Sequence, residues 1–135
     1  MIAMKRLALA CLIGLAAGCG SNTSTATSPS TSAFPTSEAW SAVLAPGGAS
    51  SRSFSTNAAG TITVTLTSAG DTVGLGVGLP RTTGGGCRLG VTVTAAPGST
   101  AQLTTQADVG SYCVQVFDLG TLSNPIPFAL TIKHP

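Results

Sequence analysis

What this chain has least of is charge: six Lys or Arg and four Asp or Glu among 135 residues. Nowhere do the basic residues cluster, which excludes the positive surface that nucleic acid or an anionic membrane face would require. The single histidine, His134, stands one place before the last residue. Metal centres need several convergent donors, so neither a metal nor any other cofactor is expected. A histidine so placed lacks the fixed geometry of a general base, and His134 is expected to be exposed and inert. Serines abound, yet no Gly-x-Ser-x-Gly elbow occurs. Carboxylate-pair hydrolysis would have to draw on Glu38, Asp71, Asp108 and Asp118. Asp71 follows Gly70 and Asp108 precedes Val109-Gly110, so both read as turn residues. Asp118 is expected to bond nearby backbone amides, with a role lining a ligand site as the alternative. Aromatic residues number only six, whereas sugar-binding sandwiches need exposed aromatic platforms. Trp40 and Phe117 are the candidates; a lone Trp more often packs in a core, and Phe117 fits under a loop.

Helical signal is missing too, because no window beyond the N-terminus carries a 3.6-residue apolar stripe. That absence disposes of Gly74-Leu75-Gly76-Val77-Gly78 as a phosphate loop, which needs a following helix. Alternate glycines in a strand instead permit close approach of a backbone, a sheet or a ligand.

What is present begins with an address. Lys5 and Arg6 precede the uncharged run from Leu7 to Ala17, the positive and apolar regions of a secretory signal peptide. The run is shorter than the roughly 20 apolar residues of a membrane span. It closes with Leu15-Ala16-Ala17-Gly18-Cys19, which resembles a bacterial lipobox. That resemblance implies cleavage after Gly18 and a lipid anchor on Cys19, giving a signal peptide at 1–18. The alternative is an ordinary signal peptide cut near Ala17. Gly20, rather than Asp, follows the cysteine, and by the same resemblance this implies the outer membrane. Losing residues 1–18 removes Lys5 and Arg6, leaving four basic residues against four acidic ones. From 19 to 37 the chain is a Ser/Thr/Pro-rich tether with almost nothing to bury, so it is expected to be a flexible linker.

Residues 38–135 read as strands. In Thr61-Ile62-Thr63-Val64-Thr65-Leu66-Thr67 the apolar and polar residues alternate without a break. Leu89–Thr94 and Ile126–Lys133 repeat the pattern, and Ser111–Gly120 carries the second mature cysteine. Weaker candidates are Ala39–Leu44, Ser51–Ser55, Thr72–Leu79 and Ala101–Thr104. Turn signals such as Pro46-Gly47-Gly48, Gly84-Gly85-Gly86 and Pro97-Gly98-Ser99 separate them. About eight short strands with turns near every tenth residue predict an all-β, antiparallel, jelly-roll-like β-sandwich. Export places Cys87 and Cys113 in an oxidising compartment, where a pair is most simply a disulfide, with two free thiols as the alternative. If Val114 and Val116 face the core, Cys113, Gln115 and Phe117 face away, and the bridge staples a loop to the outer face of a sheet.

Several segments resemble the bacterial pre-peptidase C-terminal domain and its relatives. They are Ser37-Glu38-Ala39-Trp40, Val64-Thr65-Leu66-Thr67-Ser68, Ala101-Gln102-Leu103, Gly110-Ser111-Tyr112-Cys113-Val114 and Phe117-Asp118-Leu119-Gly120. That resemblance spans residues 38–135 and implies a β-sandwich that is not an enzyme but an accessory or binding module of exported proteins. Related collagen-binding domains hold calcium through an N-terminal acidic cluster, of which only Glu38 has a counterpart here. The expected partners are therefore the membrane, through the lipid, and an envelope protein or polysaccharide. A carbohydrate- or ligand-binding module is the second reading. A small hydrolase built on His134 is the third, and partner binding by strand addition at a sheet edge the fourth.

Overall fold

Threonine alternating with aliphatic residues makes a strand with one wet and one dry face, and the computed structural model, described over residues 35–135, carries this through. In the strand Gly60–Ala69 (β3), Ile62, Val64 and Leu66 are fully buried while the threonines between them face outward. Burying each such side chain stabilises the fold by about 1.5–3 kcal/mol. The other strands are β1 (Thr36–Leu44), β2 (Ala49–Thr56), β4 (Val73–Pro80), β5 (Cys87–Ala95), β6 (Leu103–Ala107), β7 (Gly110–Phe117) and β8 (Ile126–His134). No helix occurs among the described residues. The signal peptide, Gly18, Cys19 and most of the expected linker lie outside them.

The strands form two four-stranded antiparallel sheets, β1-β8-β3-β6 and β2-β7-β4-β5. The pairings β1·β8, β2·β7, β3·β6 and β4·β5 are those of one long hairpin. Rolled up, that hairpin gains β3·β8 and β4·β7, which close each sheet. This is the jelly roll expected from the strand spacing. The core lies between the sheets, with Leu44, Val64, Leu130 and Ile132 from one and Phe54, Leu75, Val114 and Val116 from the other.

Two ladders depart from regularity. β3 shifts register against β8 between Leu66 and Ser68, and on the other edge of β3, where the β6 ladder ends at Val64, the Gln102 side chain continues the pairing. Its Oε1 accepts from the Leu66 N–H at 2.7 Å and its Nε2 donates to the Leu66 carbonyl at 3.2 Å. This explains why β6 begins at Leu103, whereas the sequence predicts Ala101–Thr104; pairing with Gly60, Thr61 and Ile62 carries it on to Ala107. Pairing also lengthens β1: Thr36 and Ser37 are polar, yet they lie opposite His134 and Lys133. The second irregularity, between Val77 and Gly78 opposite Leu89 and Val91, sits beside the disulfide.

Candidate functional site

The glycine face of β4 is filled from within the domain. Gly74, Gly76 and Gly78 are buried on the outer face of the second sheet, away from the core. A Cβ on Gly74 would overlap the ring of Phe117, and one on Gly76 would stand 2.9 Å from both terminal carbons of Leu89. A Cβ on Gly78 would run into the backbone carbonyl of Arg88. The approach that the alternate glycines permit is thus made by Phe117 and by the start of β5. Over that same spot runs the Cys87–Cys113 disulfide, with Cα atoms 5.9 Å apart. Cys113 pairs with Gly78 in the β4·β7 ladder, while Cys87 opens β5 on the far side of β4. The bridge therefore spans two strands that are not neighbours, with the backbone at the start of β5 lying close over Gly78. Neither cysteine belongs to the core cluster between the sheets, so the staple is on the outer face as the pleat predicts. Gln115, next on that face, accepts from the Cys87 N–H at 3.2 Å and ties the 81–86 loop down further.

Asp118 sits just past β7 and organises the opposite end of the sandwich. Its Oδ2 accepts from the Gly47 N–H at 2.7 Å, and its Oδ1 accepts from the amides of Gly120, Thr121 and Leu122. The Gly47 amide foremost, with Leu122, Thr121 and Gly120 and against an opposing pull from desolvation, holds the carboxyl below the usual carboxylate range. Gly47 adopts a φ of 66°, a left-handed turn conformation that glycine takes without strain. One side chain thus locks the β1–β2 turn to the β7–β8 connection. Asp71 bonds the N–H of Thr72 at 2.7 Å, a local turn contact. Asp108, in the turn between β6 and β7, accepts through its carbonyl from the Thr56 hydroxyl at 2.6 Å.

Trp40 and Phe117, the two platform candidates, are both half-buried. The Trp40 ring meets Phe128 edge-on, with centroids 5.1 Å apart, on the rim of the core. Phe117 lies across Gly74. The structure does not bring Trp40, Phe117 and Asp118 together into one site: Trp40 belongs to the first sheet, whereas Phe117 and Asp118 belong to the second sheet and the connection that leaves it.

His134 departs from expectation. Its side chain is 4 % exposed, not solvent-facing, because β8 runs on in phase and carries it inward after Leu130 and Ile132. It packs on Phe54 from the other sheet at 4.8 Å between ring centroids, and Phe54 in turn stacks on Tyr112. Its Nε2 lies 3.2 Å from Glu38 Oε1, and Glu38 Oε2 accepts from Arg52 at 3.2 Å. This Arg52–Glu38–His134 chain joins β1, β2 and β8 and bridges the two sheets along the β1/β2 side. Among the described residues no buried side-chain polar atom lacks a partner. The residue types gave no notice of the cluster; only the phase of β8 could have revealed it.

The β5/β6 side is different. Between these strands, at the end of the sandwich that also holds His134, lies an open groove of about 630 Å³. Its apolar wall includes Val77, Leu79, Leu89, Val91 and Tyr112, with Arg88 at the rim. Leu79 is 54 % exposed, unusual for a leucine within a strand. Arg88 also lines a neighbouring hollow of about 520 Å³ together with Arg81. Neither arginine forms an ion pair among the described residues. Among those residues no group of three or more His, Cys, Asp or Glu side chains could hold a metal ion. Compared with known proteins, the chain matches no family model and no curated sequence.

Proposed function

We propose that this chain is an exported lipoprotein, cleaved after Gly18 and lipidated on Cys19, whose jelly roll works without catalysis as an interaction module at the cell envelope. The observation that carries the reading is a division of labour among side chains. Asp118, Asp71 and Glu38 are engaged in turns and in the link between the sheets. The apolar surface left open is a groove between two sheet edges, suited to binding more than to bond-breaking. The lipobox resemblance at Leu15–Cys19 supplies the anchor, and Gly20 directs the protein to the outer membrane in an organism that has one. The likeness to pre-peptidase C-terminal domains points to an accessory role as well. Intact-mass spectrometry on protein extracted from the membranes of its own host tests the anchor. The expected species lacks residues 1–18 and carries a diacylglyceryl and an acyl group. An unacylated mature chain in the soluble fraction would overturn the anchor, though not the binding module.

A further inference from the structure

We propose that the β5/β6 groove receives an extended, acidic segment of a partner protein, added as a further strand to the free edge of β5. The proposal rests on the interaction-module reading and names its site and the chemistry of its partner. β5 and β6 each end their sheets, so one row of backbone N–H and C=O groups on each has no ladder partner. Along the other open side of the sandwich, Arg52 and Glu38 bridge β2 to β1. No ion pair joins β5 to β6.

Natural sheets blunt such edges with shortness, proline, lysine or bulges. β6 is short, at five residues. β5 has nine residues, without Pro or Lys, and its register irregularity lies near its start, around Gly90. From Val91 to Ala95 it is regular, which makes it the better template. Val93 packs against the core and Val91 lines the groove, while Thr92 and Thr94 face water. A segment paired alongside would therefore alternate in the same way, and its side chain beside Val91 would enter the groove, whose wall Val91 shares with Leu79 and Tyr112.

Charge selects the kind of segment. Arg88 borders the groove and the neighbouring hollow, and Arg81 borders the hollow; no carboxylate lines either. Arg81 is held in place by its Nε, which donates to the Cys87 carbonyl at 3.3 Å, and the disulfide pins Cys87. An exposed cation at the apolar slot, Arg88, with the anchored Arg81 in the adjoining hollow, suits a strand whose apolar residues are flanked by Asp or Glu.

The test is a random dodecapeptide library displayed on phage, selected on the mature oxidised protein and, in parallel, on its Arg81→Ser/Arg88→Ser variant. Unchanged Trp40 fluorescence would confirm that the variant folds. The expected outcome is enrichment of peptides with alternate apolar residues and a flanking carboxylate. A synthetic member of that set should bind the variant at least tenfold more weakly. It should also slow amide hydrogen exchange along residues 91–95. Peptides without carboxylates, equal binding to the variant, or protection along β1 instead would overturn the site and its partner chemistry while leaving a binding module in place. Absence of any enrichment over the bare support would remove both. Dimerisation of the protein alone, abolished by Val91→Lys, would assign the edge to a second copy and overturn the proposal.

Discussion

Gly74→Ala adds one methyl group on the outer face of β4, and the structure says where it goes. Three carbons of the Phe117 ring occupy the position of the new Cβ. Gly74 has no left-handed backbone, so the substitution introduces no conformational strain to confuse the result. The ring must swing off the sheet. An aromatic side chain buries about 150–250 Å² when enclosed, and Phe117 is half-buried, so roughly 100 Å² is re-exposed. At about 25 cal/mol per Å² this costs about 2.5 kcal/mol. Alanine in a strand recovers about 0.5–1 kcal/mol of the backbone entropy that glycine loses on folding. The net expectation is about 1.5–2 kcal/mol, a fall in Tm of roughly 6–16 °C for a domain of this size. Urea unfolding followed by the fluorescence of Trp40, the only tryptophan, measures it. The decisive comparison is Gly74→Ala in a Phe117→Ala background. With the ring gone, the same methyl group should cost nothing, or stabilise by about 0.5 kcal/mol. An equal cost in both backgrounds would refute the account of the glycine face.

Gly78→Ala should do more damage, because its Cβ meets the backbone of Arg88 rather than a movable ring. A loss of at least about 3 kcal/mol is expected, with free thiols at Cys87 and Cys113 detected by a thiol reagent in the refolded protein. Gln102→Ala leaves the N–H of Leu66 without its partner, while the Leu66 carbonyl keeps the Gly98 N–H, and should cost about 1–3 kcal/mol by chemical denaturation, with faster amide exchange at Leu66. Asp118→Asn removes a carboxylate whose folded pKa is depressed, so its stabilising effect is present above the unfolded value, near 3.8, and is lost as pH falls through the folded value. The gap in urea midpoint between wild type and Asp118→Asn should therefore be widest near neutral pH and close as the pH drops below about 4.

Much of the architecture could be read from residue alternation. The Thr/aliphatic run of β3 and the phase of β8 each specify a face, and turn residues at regular spacing specify short strands. The direction of the disulfide was legible for the same reason, since Cys113 stands out of phase with Val114 and Val116. What alternation cannot show is which residue stands opposite which. The meeting of Glu38 with His134 depends on two strands far apart in sequence lying side by side. The open groove depends on which strands end their sheets. His134 illustrates the limit well: proximity to a terminus suggests fraying, but pairing with Thr36 and packing on Phe54 hold the strand to its end. Gln102 replaces a stretch of backbone with a side-chain amide, a substitution that no periodicity announces.

The pairing of β1 with β8 also sets an order of events. β1 has a single neighbour in its sheet, and that neighbour is β8, the last of the described strands. A protein made or threaded from its N-terminus must therefore hold β1 without a ladder until nearly the whole domain has emerged. β8 also lies between β1 and β3, so its late arrival joins the first sheet in one step. Contacts of such long sequence separation make folding slow, and a slow folder stays extended while its tail is still being delivered. Shortening the chain by the length of β8 would remove an interior strand and strand β1, turning a small deletion into the loss of the whole fold.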